Sequence, residues 1–237
     1  MKRFYKIFLI SLSILLSVNL FGGNARRSYF VVIKTTMGDI TVKLSNETPI
    51  HRDNFVKLVK QRYFDGILFH RVIDNFMIQS GDPDSKQRVP EKLYGDGGPG
   101  YDLPAEIVPG IFHKKGVLAA AREGDDVNPL RKSSASQFYI VKGKVFDDEG
   151  LNTQEERVNK RNKALGIETE YKISKERRDV YKTIGGTPHL DTQYTIFGEV
   201  VKGIEIVDKI ASVKTDKNDR PVQDVWIIAT KLYKRRK

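Results

Sequence analysis

The chain has 237 residues, 39% of them hydrophobic and 10% aromatic, enough to bury one core and too apolar for a disordered protein. It contains no cysteine, which excludes disulfides, thiolate catalysis and cysteine-bound metal; the four histidines, His51, His70, His113 and His189, lack ligand spacing, so neither a metal nor a cofactor is expected. The formal charge of +11 is dispersed and comes without aromatic–basic interleaving or a nucleic-acid-binding module, so no nucleic-acid partner is expected.

In chain order, Lys2, Arg3 and Lys6 precede an apolar run over 7–21, and Gly23 and Ala25 stand at the two small-residue positions a signal peptidase reads. Residues 1–25 therefore read as a cleavable signal peptide, which would leave no stable membrane anchor. The other reading, an uncleaved span, needs about 20 apolar residues, and the run is short for that. Alternating β-branched and aromatic residues over 29–35 and 40–44, with Met37-Gly38 between, predict a hairpin. Thr48 as N-cap, Pro49 at the first helical position and Phe55, Leu58 and Val59 at helical spacing predict a helix over 49–60.

The stretch 64–83 reads FDGILFHRVIDNFMIQSGDP, two apolar runs over 67–73 and 76–79 joined at Asp74-Asn75. As a strand pair it puts Leu68, His70 and Val72 on one face and Phe69, Arg71 and Ile73 on the other. Arg71 is then a charge among apolar neighbours, either a surface cation in a salt bridge or the working cation of a small pocket. Phe76, Met77 and Gln79 supply an aromatic ring, a soft filler and a neutral amide for such a pocket.

The glycine-rich loop around Gly95 and Gly97-Gly98-Pro99-Gly100 has neither the lysine–serine pair nor the following helix of a phosphate cradle, and reads as turn chemistry. GVLAAA at 116–121 and SQFYIVK at 136–142 predict two strands, and Ala119, Ala120 and Ala121 leave room for tight packing or for the floor of a groove. Residues 147–183 carry acids and bases in equal number, with Leu151, Val158 and Leu165 every seven residues, a break at Gly166, then Ile173, Val180 and Ile184. They read as two charge-laced helices, a hairpin inserted in a single domain over 26–237, serving as solvated decoration or as a partner-binding arm. A strand over 194–201, a helix over 204–211 and a last strand over 225–233 complete about eight strands and two end helices, in a sandwich or a barrel.

Four segments, FHRVIDNFMIQSGDP at 69–83, GVLAAA at 116–121, SQFYI at 136–140 and HLDTQYTIFGEVVKG at 189–203, resemble in order and separation the cyclophilin family of peptidyl-prolyl cis-trans isomerases, in its exported bacterial form. The resemblance runs over 29–233 apart from the helical insert. It implies a mostly-β fold, a closed eight-stranded antiparallel barrel capped by two helices, with a groove on its outer face. It also implies that Arg71 is catalytic and that His70, Phe76, Met77, Gln79, Ala121, Gln137 and Leu190 bind substrate. Four further groove positions depart from the family's common pattern. Arg122 stands where asparagine is usual, Tyr139 replaces the phenylalanine at the floor of the proline pocket, His189 stands where some members have tryptophan, and Tyr194 replaces histidine.

Such a site accelerates Xaa-Pro isomerisation because an always-charged guanidinium can hydrogen-bond the proline nitrogen once amide resonance is lost. The implied partners are proline-containing polypeptide clients of a monomeric folding assistant that is exported, periplasmic in a Gram-negative cell and otherwise secreted. The rival reading is a binding module that keeps the groove without the catalysis.

Overall fold

The computed structural model describes residues 28–235; the expected signal peptide at 1–25 lies outside them. The first hairpin forms as its alternation requires, β1 (Ser28–Thr35) pairing antiparallel with β2 (Gly38–Leu44), and Val31, Ile33, Ile40, Val42 and Leu44 turn inward. Helix α1 (Pro49–Lys60) follows, and then β3 (Arg71–Ile73), β4 (Met77–Ser80), a short β5 (Asp102–Leu103), β6 (Val117–Ala120), β7 (Ser133–Ser134) and β8 (Phe138–Val141). Helices α2 (Asp148–Ala164) and α3 (Lys175–Thr183) precede β9 (Ile196–Lys202), α4 (Ile204–Ala211) and β10 (Ile227–Arg235).

Eight strands form one sheet in the order β10-β1-β2-β9-β6-β8-β4-β3, while β5 and β7 pair separately. The sheet curls around a core plugged by α1, through Phe55, Val56, Leu58 and Val59, and by α4, through Val207, Ile210 and Ala211. Phe55 sits 4.9 Å from Phe64, 5.6 Å from Phe138 and 5.3 Å from Phe197, ring centre to ring centre, and each such buried ring stabilises the fold by roughly 2–3 kcal/mol.

The closed barrel expected from the sequence is a curled half-barrel instead. Between the edge strands β3 and β10 there is no ladder, because the chain leaves a turn at Gly66 (φ +85°) and stays irregular over 67–70, so that only Arg71–Ile73 of the expected strand stay in the sheet. The seam is held by a lone bridge between Leu68 and Trp226 and by the amides of Gly66, Ile227 and Phe69 donating to the carbonyls of Ile227, Ile67 and Val225 at 2.7, 2.8 and 2.8 Å. Its backbone groups are therefore satisfied without strand pairing. Off the strand, Leu68 and Phe69 do not alternate, and both are buried.

The start of α1 departs from expectation as well. Thr48 occupies the N-cap position, but its hydroxyl caps nothing; the Glu106 carboxylate, from the loop after β5, accepts from the amides of Ile50 (3.1 Å) and His51 (2.9 Å) and lies 2.7 Å from His51 Nδ1. A carboxylate there also meets the positive end of the helix dipole. Of the apolar residues spaced along 147–183, Leu151, Val158 and Ile173 are buried, whereas Leu165 and Ile184 are exposed and Tyr181 takes the buried place on α3. Replacing Glu106 with alanine is expected to lower unfolding stability by about 2 kcal/mol in urea denaturation, by uncapping α1 and leaving His51 Nδ1 buried without an acceptor.

Candidate active site

Three inner strands are buried on both faces. Leu118 and Ala120 of β6, Phe138 and Ile140 of β8 and Ile78 of β4 belong to the core, while Val117, Ala119, Tyr139, Val141 and Met77 form a second apolar cluster outside the sheet with Leu190 and Ile196. Across this outer face the register aligns Arg71 with Gln79, Gln79 with Tyr139 and Tyr139 with Ala119. Directly opposed residues on neighbouring strands share a face at about 5 Å, so one row carries a cation, an amide, an aromatic ring and a gap left by a methyl. The parallel row is Ile73, Met77 and Val141.

The row is the floor of a groove of about 220 Å³ lined by His70, Arg71, Phe76, Met77, Gln79, Ala121, Arg122, Tyr139, Leu190 and Tyr194, together with Tyr94 and Gly95. Ten of the twelve residues expected at the site thus converge on one depression. Phe76 and Met77 both reach it because Phe76 lies in the turn before β4 and is released from the strand's alternation. The other two stand beside it. Gln137 lines a neighbouring hollow, where its Oε1 accepts from Gln79 Nε2 at 3.2 Å and its Nε2 donates to the carbonyls of Gly95 and Gly97. His189 backs the groove wall with its ring 5.5 Å from that of Phe76.

Arg71 is half exposed, with its Nε 3.5 Å from the Asp219 carboxylate, and the amide of Val72 donates to the Asp219 carbonyl at 2.8 Å. An ion pair this long and this wet contributes little to stability, so its effect is to aim the side chain. Arg122 is locked: its guanidinium lies 4.6 Å over the Tyr194 ring, Nε donates to the Gln193 carbonyl at 2.9 Å and Nη1 pairs with Asp125 at 2.8 Å. It holds Tyr194 in the wall.

The hydroxyl that Tyr139 adds to the pocket floor lies 3.0 Å from His113 Nε2. His113 Nδ1 lies 3.0 Å from Asp191 Oδ1, which also accepts from the His113 amide at 2.8 Å; Asp191 Oδ2 accepts from the hydroxyls of Tyr171 at 2.6 Å and Tyr181 at 2.8 Å. All five residues are buried. Burial, reinforced by the Asp191 charge, pushes the Tyr171 and Tyr181 hydroxyls far above their usual range, and burial first of all raises Tyr139, so all three keep their protons and donate. His113 Nδ1–H then donates to Asp191, and Nε2 accepts from Tyr139.

Two other histidines near the groove are held neutral. His70 is lowered to about 4, chiefly by burial, with Asp82 opposing and Arg71 assisting; His189 is lowered to about 4 by burial and then by the nearby Arg157 charge. Neither ring nitrogen of His70 has a partner among the described residues. Sequence reasoning did not reach Tyr94, Gly95, His113, Asp191 or Asp219. Tyr94, Gly95 and Asp219 come from loops with no periodic signal, whereas His113 and Asp191 were traceable only as the partner that the hydroxyl of Tyr139 required.

The model of the cyclophilin type peptidyl-prolyl cis-trans isomerase/CLD family matches residues 30–232. The chain is 32% identical over 204 residues to peptidyl-prolyl cis-trans isomerase-like 1 of Aspergillus fumigatus, covering 85% of this chain and 94% of that protein. It is 34% identical over 198 residues to a Staphylococcus aureus protein whose name assigns it the same activity provisionally, covering 83% and 88% respectively. Among solved structures, a Cryptosporidium parvum cyclophilin type isomerase superposes with a TM-score of 0.59 at 22% identity, over 87% of this chain and 98% of that one, a likeness of fold.

Because the folded-state value for His70 lies below the ordinary 6.5, the unfolded chain binds a proton that the folded protein refuses. Its contribution to stability is complete above about pH 6.5 and is lost as the pH falls towards 4. At about 1.4 kcal/mol per pH unit, the wild-type protein is expected to lose about 3 kcal/mol more stability over that interval than His70→Gln, measured by urea denaturation at each pH. Parallel profiles would place the titration elsewhere.

Proposed function

The chain belongs to the cyclophilin-type peptidyl-prolyl cis-trans isomerases, and we propose that it turns Xaa-Pro bonds by a hydrogen bond from Arg71 to the twisted proline nitrogen, in polypeptides exported from the cell. The observation that carries the mechanism is the cross-strand row: Arg71 stands at its end and lines the groove with the Tyr139 ring, and a weak contact with Asp219 meets its Nε edge.

Rotation about a peptide bond costs about 18–20 kcal/mol because the nitrogen lone pair is shared with the carbonyl. As the bond twists, that pair localises and becomes an acceptor for the guanidinium, so the interaction is stronger in the transition state than in the planar amide. Phe76, Met77, Leu190 and the Tyr139 ring hold the pyrrolidine ring. A bound proline ring covers the half-exposed guanidinium, so less water competes for it and its bond strengthens. A Cryptosporidium parvum cyclophilin, similar in fold, has been solved in the presence of the dipeptide Ala-Pro, a ligand of the size this groove accepts. Gln79 donates one amide hydrogen to Gln137 and keeps its Oε1 to orient Arg71 or the substrate, while Asp219 stands against the Arg71 Nε.

The export reading rests on the basic start, the apolar run and the small residues Gly23 and Ala25. In that compartment a monomeric isomerase would speed folding steps limited by proline, which otherwise take tens of seconds or longer. We read α2 and α3 as an insertion into a single domain over 26–237. The protein recovered from its own cells is expected to begin at Arg26 by intact mass; recovery with Met1 in place would refute cleavage.

The direct test is the cis-to-trans relaxation of a short Xaa-Pro peptide with the purified protein. Arg71→Ala is expected to reduce kcat/KM by about 10²–10³-fold while peptide affinity changes little. An unchanged rate in Arg71→Ala, or no acceleration by the wild-type protein, would overturn the reading.

A further inference from the structure

Helices α2 and α3 are not a solvated appendage. Leu151 and Val158 of α2, Tyr181 of α3, and Tyr171 and Ile173 between them form a third buried cluster with Phe112 and Phe146 against it. From this cluster two hydroxyls run to Asp191 Oδ2, and from Asp191 the chain of hydrogen bonds continues through His113 to the hydroxyl of Tyr139. The same helices hold the segment that carries Leu190 and Tyr194. Arg161 Nη2 donates to the His189 carbonyl at 2.8 Å, and Gln193 Nε2 donates to Asn162 Oδ1 at 3.2 Å.

We propose that Tyr171 and Tyr181 are positioning residues for the isomerisation, setting the floor of the proline pocket through Asp191, His113 and Tyr139. The inference builds on the isomerase reading above and assigns that site a remote determinant in the helical pair.

The argument turns on direction. The Tyr139 ring lies nearly parallel to that of His113, 6.2 Å away at 11°, and edge-on to Tyr194 at 5.9 Å, so its height in the pocket is fixed at the far end by one hydrogen bond. With Nδ1 holding its proton against Asp191, Nε2 presents a lone pair and takes the Tyr139 proton, for which no other acceptor stands among the described residues. Asp191 stays a good acceptor in a fixed orientation because each of its oxygens takes two donors. Removing both hydroxyls from Oδ2 leaves a buried carboxylate half-solvated, free to rotate and to release the imidazole. If the imidazole changes tautomer, Nε2–H donates to the Tyr139 oxygen instead, which leaves the Tyr139 proton without an acceptor among apolar neighbours and shifts the ring. A shift of the floor displaces the proline ring relative to Arg71, and small misplacements are costly to rate.

The test is a cycle in the full chain, comparing Tyr171→Phe/Tyr181→Phe in the wild-type background and in Tyr139→Phe. In the wild-type background kcat/KM for an Xaa-Pro peptide is expected to fall about fivefold; in Tyr139→Phe, whose ring has no tether to lose, the same change is expected to cost less than about twofold. Equal losses in the two backgrounds, or no loss in either, would overturn the proposal, since a merely structural role of the tyrosines is indifferent to the Tyr139 hydroxyl. If the double variant does not fold, Tyr171→Phe alone, which leaves one hydroxyl on Oδ2, carries the comparison with an expected loss of about twofold. The imidazole ¹⁵N spectrum supplies a readout that needs no activity. It is expected to show His113 protonated at Nδ1 and to change with the tyrosine substitutions. A wild-type protein without isomerase activity would sink the enzymatic reading, yet this change would still support the tether; an unchanged His113 signature would overturn it.

Discussion

The pleat of three short strands ties the core to the groove. In β4, β6 and β8, Ile78, Leu118 and Ile140 point into the core while their neighbours Met77, Ala119 and Tyr139 point out. Because the side-chain period is two, slipping any of these strands by one residue would push groove side chains inward and expose core ones. Each buried aliphatic side chain carries roughly 2 kcal/mol, so a slip involving several of them exceeds what a small domain can lose. The inner core thus holds the register, and the register sets Arg71 beside Gln79 and Gln79 beside Tyr139. The geometry of the candidate site is inherited from hydrophobic packing on the other side of the same strands.

The walls of the groove are irregular chain, and buried acceptors give them shape. The buried Asp82 carboxylate takes the amides of Gly95 and Gly97 at 2.6 and 3.2 Å, while Gln137 donates to the carbonyls of the same two residues. A side chain at Gly97 would place its Cβ 2.1 Å from Asp82 Oδ1, so the glycine-rich loop is spaced to wrap a carboxylate of its own protein. After α3, Gly186 passes so close to the His113 carbonyl and the Tyr181 ring that a Cβ would lie 2.2 and 2.6 Å from them. Where the helical pair rejoins the sheet, only a glycine lets the two meet.

What was legible in the sequence follows from how local its cause is. The first hairpin, α1, α4 and the strands around GVLAAA and SQFYIV were readable because propensity and periodicity are written in adjacent residues. The half-barrel seam was not, since Ile67, Leu68 and Phe69 make an apolar run as good as a strand, and only the path of the chain past Trp226 breaks it. Thr48 takes the N-cap position that the sequence offered, but the group that caps α1 is the Glu106 carboxylate, far along the chain and outside the reach of any local signal. The residues that line the groove were readable through motifs, because a motif preserves the outcome of tertiary packing. Their partners, Asp219 on Arg71 and His113 on Tyr139, sit in segments whose own composition says nothing of the groove.

Asp191 shows why α2 and α3 are more than cover. Among the described residues its carboxylate meets no lysine or arginine, and its desolvation is offset by four donors, two from His113 just before β6 and two from the helical pair. A buried charge that loses half of its partners typically costs several kcal/mol, so the helical cluster and the groove wall are bound to form together. The stretch 111–113 makes the same point in three consecutive residues: Ile111 packs on the groove cluster, Phe112 on the helical cluster, and His113 joins Asp191 to Tyr139. A segment rich in exposed charge along its outer face thereby acquires a polar grip on the pocket that no apolar contact could supply, because hydrogen bonds fix orientation where dispersion fixes only distance.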